Sequence, residues 1–403
     1  RLVSDWSSDV CSSDLKNPDQ LKQYRPIALT SCLCKMMERL IEHYIINNTS
    51  MDKLQFAYRA NRSTQDALLC LTTTVTNFID KKASNYARCL FLDFSSAFNT
   101  IHVPDLISEL SHLDSNVTEW IYSFLTKRTQ RTIADGITSK PIMTSTGTPQ
   151  GCCLSPLLFS IYTNRITSNL SNVTVIKYAD DTCIIGCIGN QSDLCSYFDE
   201  INRISKQCSD LNLLLNPTKT QEMMFSTQLV KPDTPALNLN GTDITLCDKV
   251  RYLGITVDDK LRFQEHVQSV LTTVSQRMYI VKNFVYLSSK PLSNMLFKSF
   301  IVSLISYCLP ILYTSIHASD KKCIRKVFKD AIKLGIEHPG IDALMTEQTK
   351  TLAMRYIHDE DHFINDFLEK CPSGRYRTIK YRGAWGRDCF LRHLIHTLNN
   401  ILY

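Results

Sequence analysis

The chain predicts an α+β body of mixed strands and helices to about residue 260, followed by an all-helical region. Three observations predict it. Apolar strand-like runs end in acid at Cys89-Leu90-Phe91-Leu92-Asp93 and at 173–178, just before Asp180-Asp181. Amphipathic stretches with helical spacing alternate with those runs. From Gln264 onward only helical spacing remains, punctuated by Pro291 and Pro310.

The elements follow in order. Residues 1–15 are polar and aperiodic, and lack the basic start and apolar stretch of a signal peptide. They look like a translated sequencing-adapter oligonucleotide joined to a partial gene, so disorder and upstream truncation are expected. Tyr24–Thr30 reads as a short strand. Met36, Met37, Leu40, Ile41 and Ile45 give helical spacing after Ser31. Thr64 is placed to cap a helix over 65–80. A strand is expected at 87–94, helix over most of 96–112 with a restart at Pro104, and helix at 116–127. Asp135-Gly136 signals a hairpin between strands 131–135 and 140–146. An apolar helix is expected at 154–170, strands at 173–178 and 182–188, a helix at 192–212 and a strand at 221–226. Leu237–Thr242 reads as a turn between short strands, and 250–257 as one strand broken by Gly254.

Composition excludes more than it assigns. No run of 18 apolar residues occurs, so no membrane span is expected. A net charge of +6 permits a nucleic-acid partner without requiring one. The 16 cysteines include no CxxC pair, which argues against a zinc knuckle. They read as buried free thiols of a reducing compartment, the nucleus and cytoplasm.

The acids carry the chemistry. Asp93 and Asp180 lie 180 − 93 = 87 residues apart, so only folding can join them. A carboxylate is expensive to bury unpaired, and strands that aim acids inward commonly do so for a cation. With Asp181 and the Phe94 carbonyl, the set forms an all-oxygen site suited to two Mg²⁺ ions, the standard device of nucleotidyl transfer. An exposed Asp-Asp turn is the ordinary alternative; the flanking apolar strands weigh against it. Gly147-Thr148-Pro149-Gln150-Gly151 can bring backbone against a base or sugar. Arg25, Arg59 and Arg62 are candidate triphosphate ligands, since guanidinium forks match phosphate oxygens. Lys219 can donate a proton to pyrophosphate. Phe98, on periodicity alone, is core.

Tyr24-Arg25-Pro26-Ile27, Gln55-Phe56-Ala57-Tyr58-Arg59, Phe91–Phe98, Gly147–Pro156, Tyr178-Ala179-Asp180-Asp181, Leu213-x2-Asn216-Pro217-Thr218-Lys219-Thr220 and Tyr252-Leu253-Gly254 occur in one order. That ordered set, over about residues 20–260, resembles the reverse transcriptases of non-LTR (LINE-type) retrotransposons, possibly the jockey-like branch. The resemblance implies a right-hand polymerase: fingers and palm with an antiparallel sheet over 16–260, a helical thumb over 261–370, and a C-terminal tail over 371–403. It implies RNA-directed DNA polymerase activity, with template RNA, primer DNA and dNTPs as partners and two Mg²⁺ (or Mn²⁺) as cofactors. Asp93, Asp180 and Asp181 would be the metal-binding triad. Phe98 would be the steric gate against a 2′-hydroxyl, and Gln150, Gly151 and Tyr178 would line the substrate pocket. Arg25 would hold the triphosphate, Lys219 would sit near the departing pyrophosphate, and Tyr252, Leu253 and Gly254 would grip the primer. Asn99 and Ala57 depart from the family's usual Asp and Gly. The resemblance also implies an upstream endonuclease domain in the full-length element, expected to be missing from this fragment. Two rival readings are an RNA-directed RNA polymerase, which Phe98 opposes, and a decayed nucleic-acid-binding remnant, which the intact acids oppose.

Overall fold

The computed structural model describes residues 6–11, 25–95, 97–134 and 137–402, with backbone alone for 6–11, 25, 26, 134 and 384. The first elements are β1 (Trp6–Cys11), β2 (Arg25–Leu29), α1 (Cys32–Asn48), α2 (Thr64–Lys81) and β3 (Tyr86–Leu92). Short helices α3 (Ala97–Thr100) and α4 (Val103–Glu109) lead to α5 (Ser115–Leu125). Next come β4 (Arg128–Ala134), β5 (Ile137–Thr138), β6 (Ile142–Thr144) and α6 (Ser155–Tyr162). The hairpin β7 (Val173–Tyr178) and β8 (Asp181–Ile188), helix α7 (Gln191–Asp210) and β9 (Gln221–Ser226) complete the central body.

The central sheet has the order β12-β9-β3-β8-β7, where β12 is Leu246–Cys247. Pairing is antiparallel except between β12 and β9. Side chains of a strand alternate between faces, and here both faces are covered. Ala87, Cys89 and Phe91 join one core with α2 and the C-terminal helices. Leu90 and Leu92 join the other, with α4 to α7. This double burial explains why β3 reads as one apolar run rather than an alternating one. The polar exception is Arg88, fully buried, whose guanidinium donates to both Glu222 oxygens at 2.8 and 2.6 Å. The Tyr197 hydroxyl donates to the same carboxylate at 2.9 Å. Gly186 makes room for that ring: a Cβ there would stand 2.3 Å from Tyr197.

A second sheet, β2-β1-β4-β5 with β6 on β4, forms the fingers side. Trp6–Cys11, expected to be disordered, is a strand here, antiparallel to β2 and parallel to β4. Backbone pairing to β2 and β4 needs no side-chain pattern, so an aperiodic segment gives no warning of it. The Asp135-Gly136 turn lies outside the described residues, although Ala134 and Ile137 pair across it.

Two short hairpins follow: β10 (Leu237–Leu239) with β11 (Thr242–Ile244), and β13 (Lys249–Tyr252) with β14 (Ile255–Asp258). The single strand expected at 250–257 is therefore a hairpin. Its two-residue loop, Leu253-Gly254, has φ of +49° and +80°, the geometry of a primed turn. Helix α6 also ends eight residues before the expected Leu170. The Lys177 ammonium, inserted from β7, takes the Thr163 and Asn164 carbonyls at 3.2 and 2.8 Å, so the chain leaves helical pairing there.

The helical region comprises α8 (Gln264–Val285), α9 (Lys290–Phe297), α10 (Ser303–Ser306), α11 (Leu309–Ser315), α12 (Ala318–Lys333), α13 (Ile341–His358), α14 (Ala384–Arg387) and α15 (Phe390–Leu402). The expected tail ends in α15, whose Phe390, Leu391, Leu394, Ile395 and Leu398 are buried. Helix α2 is tied to this region by Asp66, which is fully buried. Ser63 Oγ and the Tyr356 hydroxyl donate to it at 2.6 and 2.8 Å, Arg355 pairs with it, and His362 Nε2 lies 3.4 Å away. Burial pushes its carboxyl up, but contacts from His362, Arg355, Ser63 and Tyr356 prevail and hold it below the usual range. Among the described residues no single helix is long and apolar enough to cross a membrane.

Candidate active site

Strand pairing brings the acids together. The β3–β8 register ends at Leu92 opposite Thr182. One further step sets Asp93 opposite Asp181. Tyr178 pairs with Asp181 across a two-residue loop, placing Asp180 at the hairpin tip. Ala179 in that loop has φ +56°. A non-glycine residue there costs about 1–2 kcal/mol, strain of the kind that accumulates at functional turns.

The segment 214–220 locks the other side of Asp93. The Asp93 carbonyl accepts from Asn216 N at 2.9 Å, and Ser95 N donates to the Leu214 carbonyl at 2.8 Å. Asp93 N donates to Thr220 Oγ1 at 3.4 Å. Phe94 bridges Leu215 between these bonds. Because antiparallel residues alternate, the peptide groups of Phe94 itself take no part in that bridge and face the Asp180 side.

The electrostatics show three crowded carboxylates with one cation. Lys219 Nζ stands 4.0 Å from Asp93 Oδ2, with both side chains substantially exposed, so the pair neutralises little. Burial raises the Asp93 carboxyl, Lys219 lowers it, Asp180 raises it and Asn216 lowers it; the net is upward. Burial, then Asp180, then Asp93 push Asp181 up to about 6. Its side chain is nevertheless exposed at the cleft rim, so water screens part of that repulsion. Among the described residues, no three His, Cys, Asp or Glu side chains are grouped so as to hold a metal ion by themselves. Mg²⁺ does not need such a group: it typically takes one or two carboxylates and completes its shell with water and substrate phosphate. An excess of mutually repelling oxygens at a cleft rim fits that mode.

The glycine-bracketed loop packs against this centre. Thr148 N donates to the Phe98 carbonyl at 2.8 Å, and Gly147 N to the Ile101 carbonyl at 2.9 Å. A Cβ on Gly147 would sit 2.8 Å from the Asn99 and Phe98 backbone, and its φ is +66°. At the other end, Ala28 N donates to the Gln150 carbonyl at 2.6 Å, which joins β2 to the loop. A Cβ on Gly151 would meet Ile27 at 2.9 Å. Gln150 Nε2 reaches Asn99 Oδ1 at 3.5 Å, the outer limit of a hydrogen bond. The Phe98 ring is half-buried and stacked on Phe159, centroids 4.7 Å apart. That stacking fixes the ring in place against the core, as periodicity implied.

Other expectations need correction. Arg62 is not a free phosphate ligand: its nearly buried guanidinium pairs with Asp359. Arg59 donates to the Asp52 and Gln55 carbonyls at 2.7 and 3.2 Å, and so braces its own loop. Arg25 opens β2, but its side chain lies outside what the structure describes. Tyr252 cannot touch a primer. It is buried against Phe91, ring centroids 5.2 Å apart, and its hydroxyl has no hydrogen-bond partner. Leu253 and Gly254 alone form the hairpin tip. The Tyr307 hydroxyl donates to the Leu253 carbonyl at 2.7 Å and lies 3.0 Å from Thr64 Oγ1, steadying that tip. Motif spacing gave no signal for Tyr307, which comes from the helical region.

An α+β body whose central antiparallel sheet carries acids at the ends of adjacent strands defines the right-hand, template-dependent polymerases. The family model for reverse transcriptase (RNA-dependent DNA polymerase) matches residues 15–257, and the chain belongs to that family. It is 30% identical over 271 residues to the RNA-directed DNA polymerase from mobile element jockey of Drosophila funebris, covering 63% of this chain and 29% of that protein. The jockey polymerase of Drosophila melanogaster is 30% identical over 275 residues, with the same shares. The chain thus spans under a third of the length of these relatives. A solved structure of apo telomerase from Candida tropicalis aligns with 91% of this chain and 69% of its own, at 10% identity and TM-score 0.44.

Proposed function

We propose that the chain is the RNA-directed DNA polymerase of a non-LTR retrotransposon, extending a primer 3′-hydroxyl with dNTPs on an RNA template. The observation that carries this reading is the β3–β8 register, which ends at Leu92 opposite Thr182, one residue short of Asp93 and Asp181, with Asp180 next to Asp181 at the hairpin tip. The names of the jockey relatives agree with it.

Each residue then has a task. Asp93, Asp180, Asp181 and the Phe94 carbonyl would hold the divalent ions. Bound ions would acidify the primer hydroxyl and offset charge developing on the phosphorus. Lys219, exposed and 4.0 Å from Asp93, stands where a proton can pass to pyrophosphate. Arg25 meets the triphosphate. Phe98, braced by Phe159, presses on the sugar and rejects a 2′-hydroxyl by clash. The Gln150-Gly151 backbone lines the pocket for the nucleotide and template. Leu253 and Gly254 contact the primer.

The test is extension of oligo(dT) on poly(rA) with Mg²⁺ and dTTP. Wild-type protein extends the primer; Asp180→Ala keeps its fold and loses activity. Retained extension in Asp180→Ala refutes the assignment.

A further inference from the structure

The polymerase reading leaves one built feature unused. A cavity of about 210 Å³ lies between the C-terminal end of α1, the 58–60 loop and α6, lined by Ile45, Ile46, Met51, Tyr58, Arg59 and Leu157, among others. Its walls are mostly apolar, and its mouth is marked by Tyr58 and Ile46, which are 48% and 50% exposed.

Tyr58 is held there deliberately. Gln55 pairs in parallel with Lys177; Phe56 N donates to the Lys177 carbonyl and Lys177 N to the Leu54 carbonyl, both at 2.9 Å. The fingers segment therefore runs alongside β7 into the acidic turn. Tyr58 lies in the turn that follows that bridge. Tyr58 itself has φ +57°, a conformation that tyrosine rarely adopts. The Arg59 guanidinium, bonded to two carbonyls of the same loop, stiffens it. Burial, then Asp180, then Tyr178 raise the pKa of the Tyr58 hydroxyl, as expected for a ring near the acids. Strain is retained at a solvent-facing aromatic ring between the catalytic turn and an apolar cavity.

We infer that Tyr58 is a stacking platform for an unpaired base of the single-stranded template beside the active site, and that the adjoining cavity receives that base. This rests on the polymerase reading, which requires unpaired template next to Asp180. Every base has a flat π-face, so an aromatic platform over an apolar cavity accepts any sequence, as a template site must. The exposed ring provides the face, and Ile45, Ile46, Met51 and Leu157 provide a dry wall.

The test compares binding of two primer–templates by fluorescence anisotropy in EDTA: a blunt duplex and one with three unpaired template nucleotides. Wild-type protein binds the extended substrate more tightly. Tyr58→Asn, which suits positive φ while removing the ring, loses that preference by roughly 5- to 150-fold, the worth of one stacked base. Tyr58→Phe keeps it. Ile46→Trp, which fills the cavity mouth, reduces it. 2-Aminopurine at the first unpaired template position is quenched on binding wild-type protein and stays bright with Tyr58→Asn. An unchanged preference in Tyr58→Asn, or an equal loss on the blunt duplex, overturns the inference. Failure of wild-type protein to extend any primer overturns the polymerase reading beneath it; wild-type extension alongside an unaltered Tyr58→Asn preference removes the platform alone.

Discussion

The crowding of acids at the palm makes a prediction about stability that is separable from activity. Burial, then Asp180, then Asp93 push the Asp181 carboxyl up to about 6 from an ordinary 3.8. A raised acid destabilises the fold: the penalty is absent below pH 3.8, grows as pH rises, and is complete above pH 6. That rise corresponds to roughly 3 kcal/mol as a ceiling. The carboxylate rim is open to water, so screening reduces this to about 1 kcal/mol. Asp181→Asn in EDTA at pH 7.5 should therefore be more stable than wild type, with a melting temperature higher by about 1–2 °C for a chain of this size. At pH 4 the gain should vanish. Adding Mg²⁺ should reverse the order, because the ion stabilises the protein that binds it better. The measurement is thermal unfolding by circular dichroism across pH, with and without Mg²⁺. No gain at pH 7.5, or the same gain at pH 4, would show that the three acids do not repel one another, and the argument for an ion site would fall.

Two further outcomes follow from the geometry. Phe98→Val shortens the wall that Phe159 braces, and should raise incorporation of ribonucleotides relative to deoxynucleotides by about 10- to 100-fold in primer extension; unchanged sugar selectivity would remove Phe98 from that role. Glu222→Ala strands the fully buried Arg88 and should cost roughly 3–5 kcal/mol in denaturant unfolding, whereas the double variant Arg88→Met/Glu222→Leu should recover most of it; a mild single-variant effect would mean that water reaches the pair.

What the sequence made legible was local. The strand ends at Asp93 and Tyr178, the glycine-bracketed loop and the helical C-terminal region all follow from apolar runs, turn residues and spacing, which act over a few residues. The misread elements are those decided by distant partners. Helix α6 stops where a buried lysine from β7 takes its last carbonyls. The 250–257 run folds back because Leu253 accepts a left-handed φ that nothing in its chemistry announces. The fate of Arg62 was invisible because Asp359 lies 297 residues downstream.

That last pairing has a mechanical sense. Arg62, Asp66 and Lys53 on the fingers side each meet a partner beyond residue 354: Asp359, Arg355 with Tyr356, and Asp366. The loop that presents Tyr58 lies between Lys53 and Arg62, and Tyr307 ties the Leu253-Gly254 tip to Thr64, between Arg62 and Asp66. The C-terminal helices therefore do more than cover one face of the palm sheet. They hold the fingers loop and the hairpin tip against the same helix, α2, whose apolar residues pack on the back of β3. A single packed element thus sets the spacing between the strand that ends in Asp93 and both surfaces through which a template and its primer would pass.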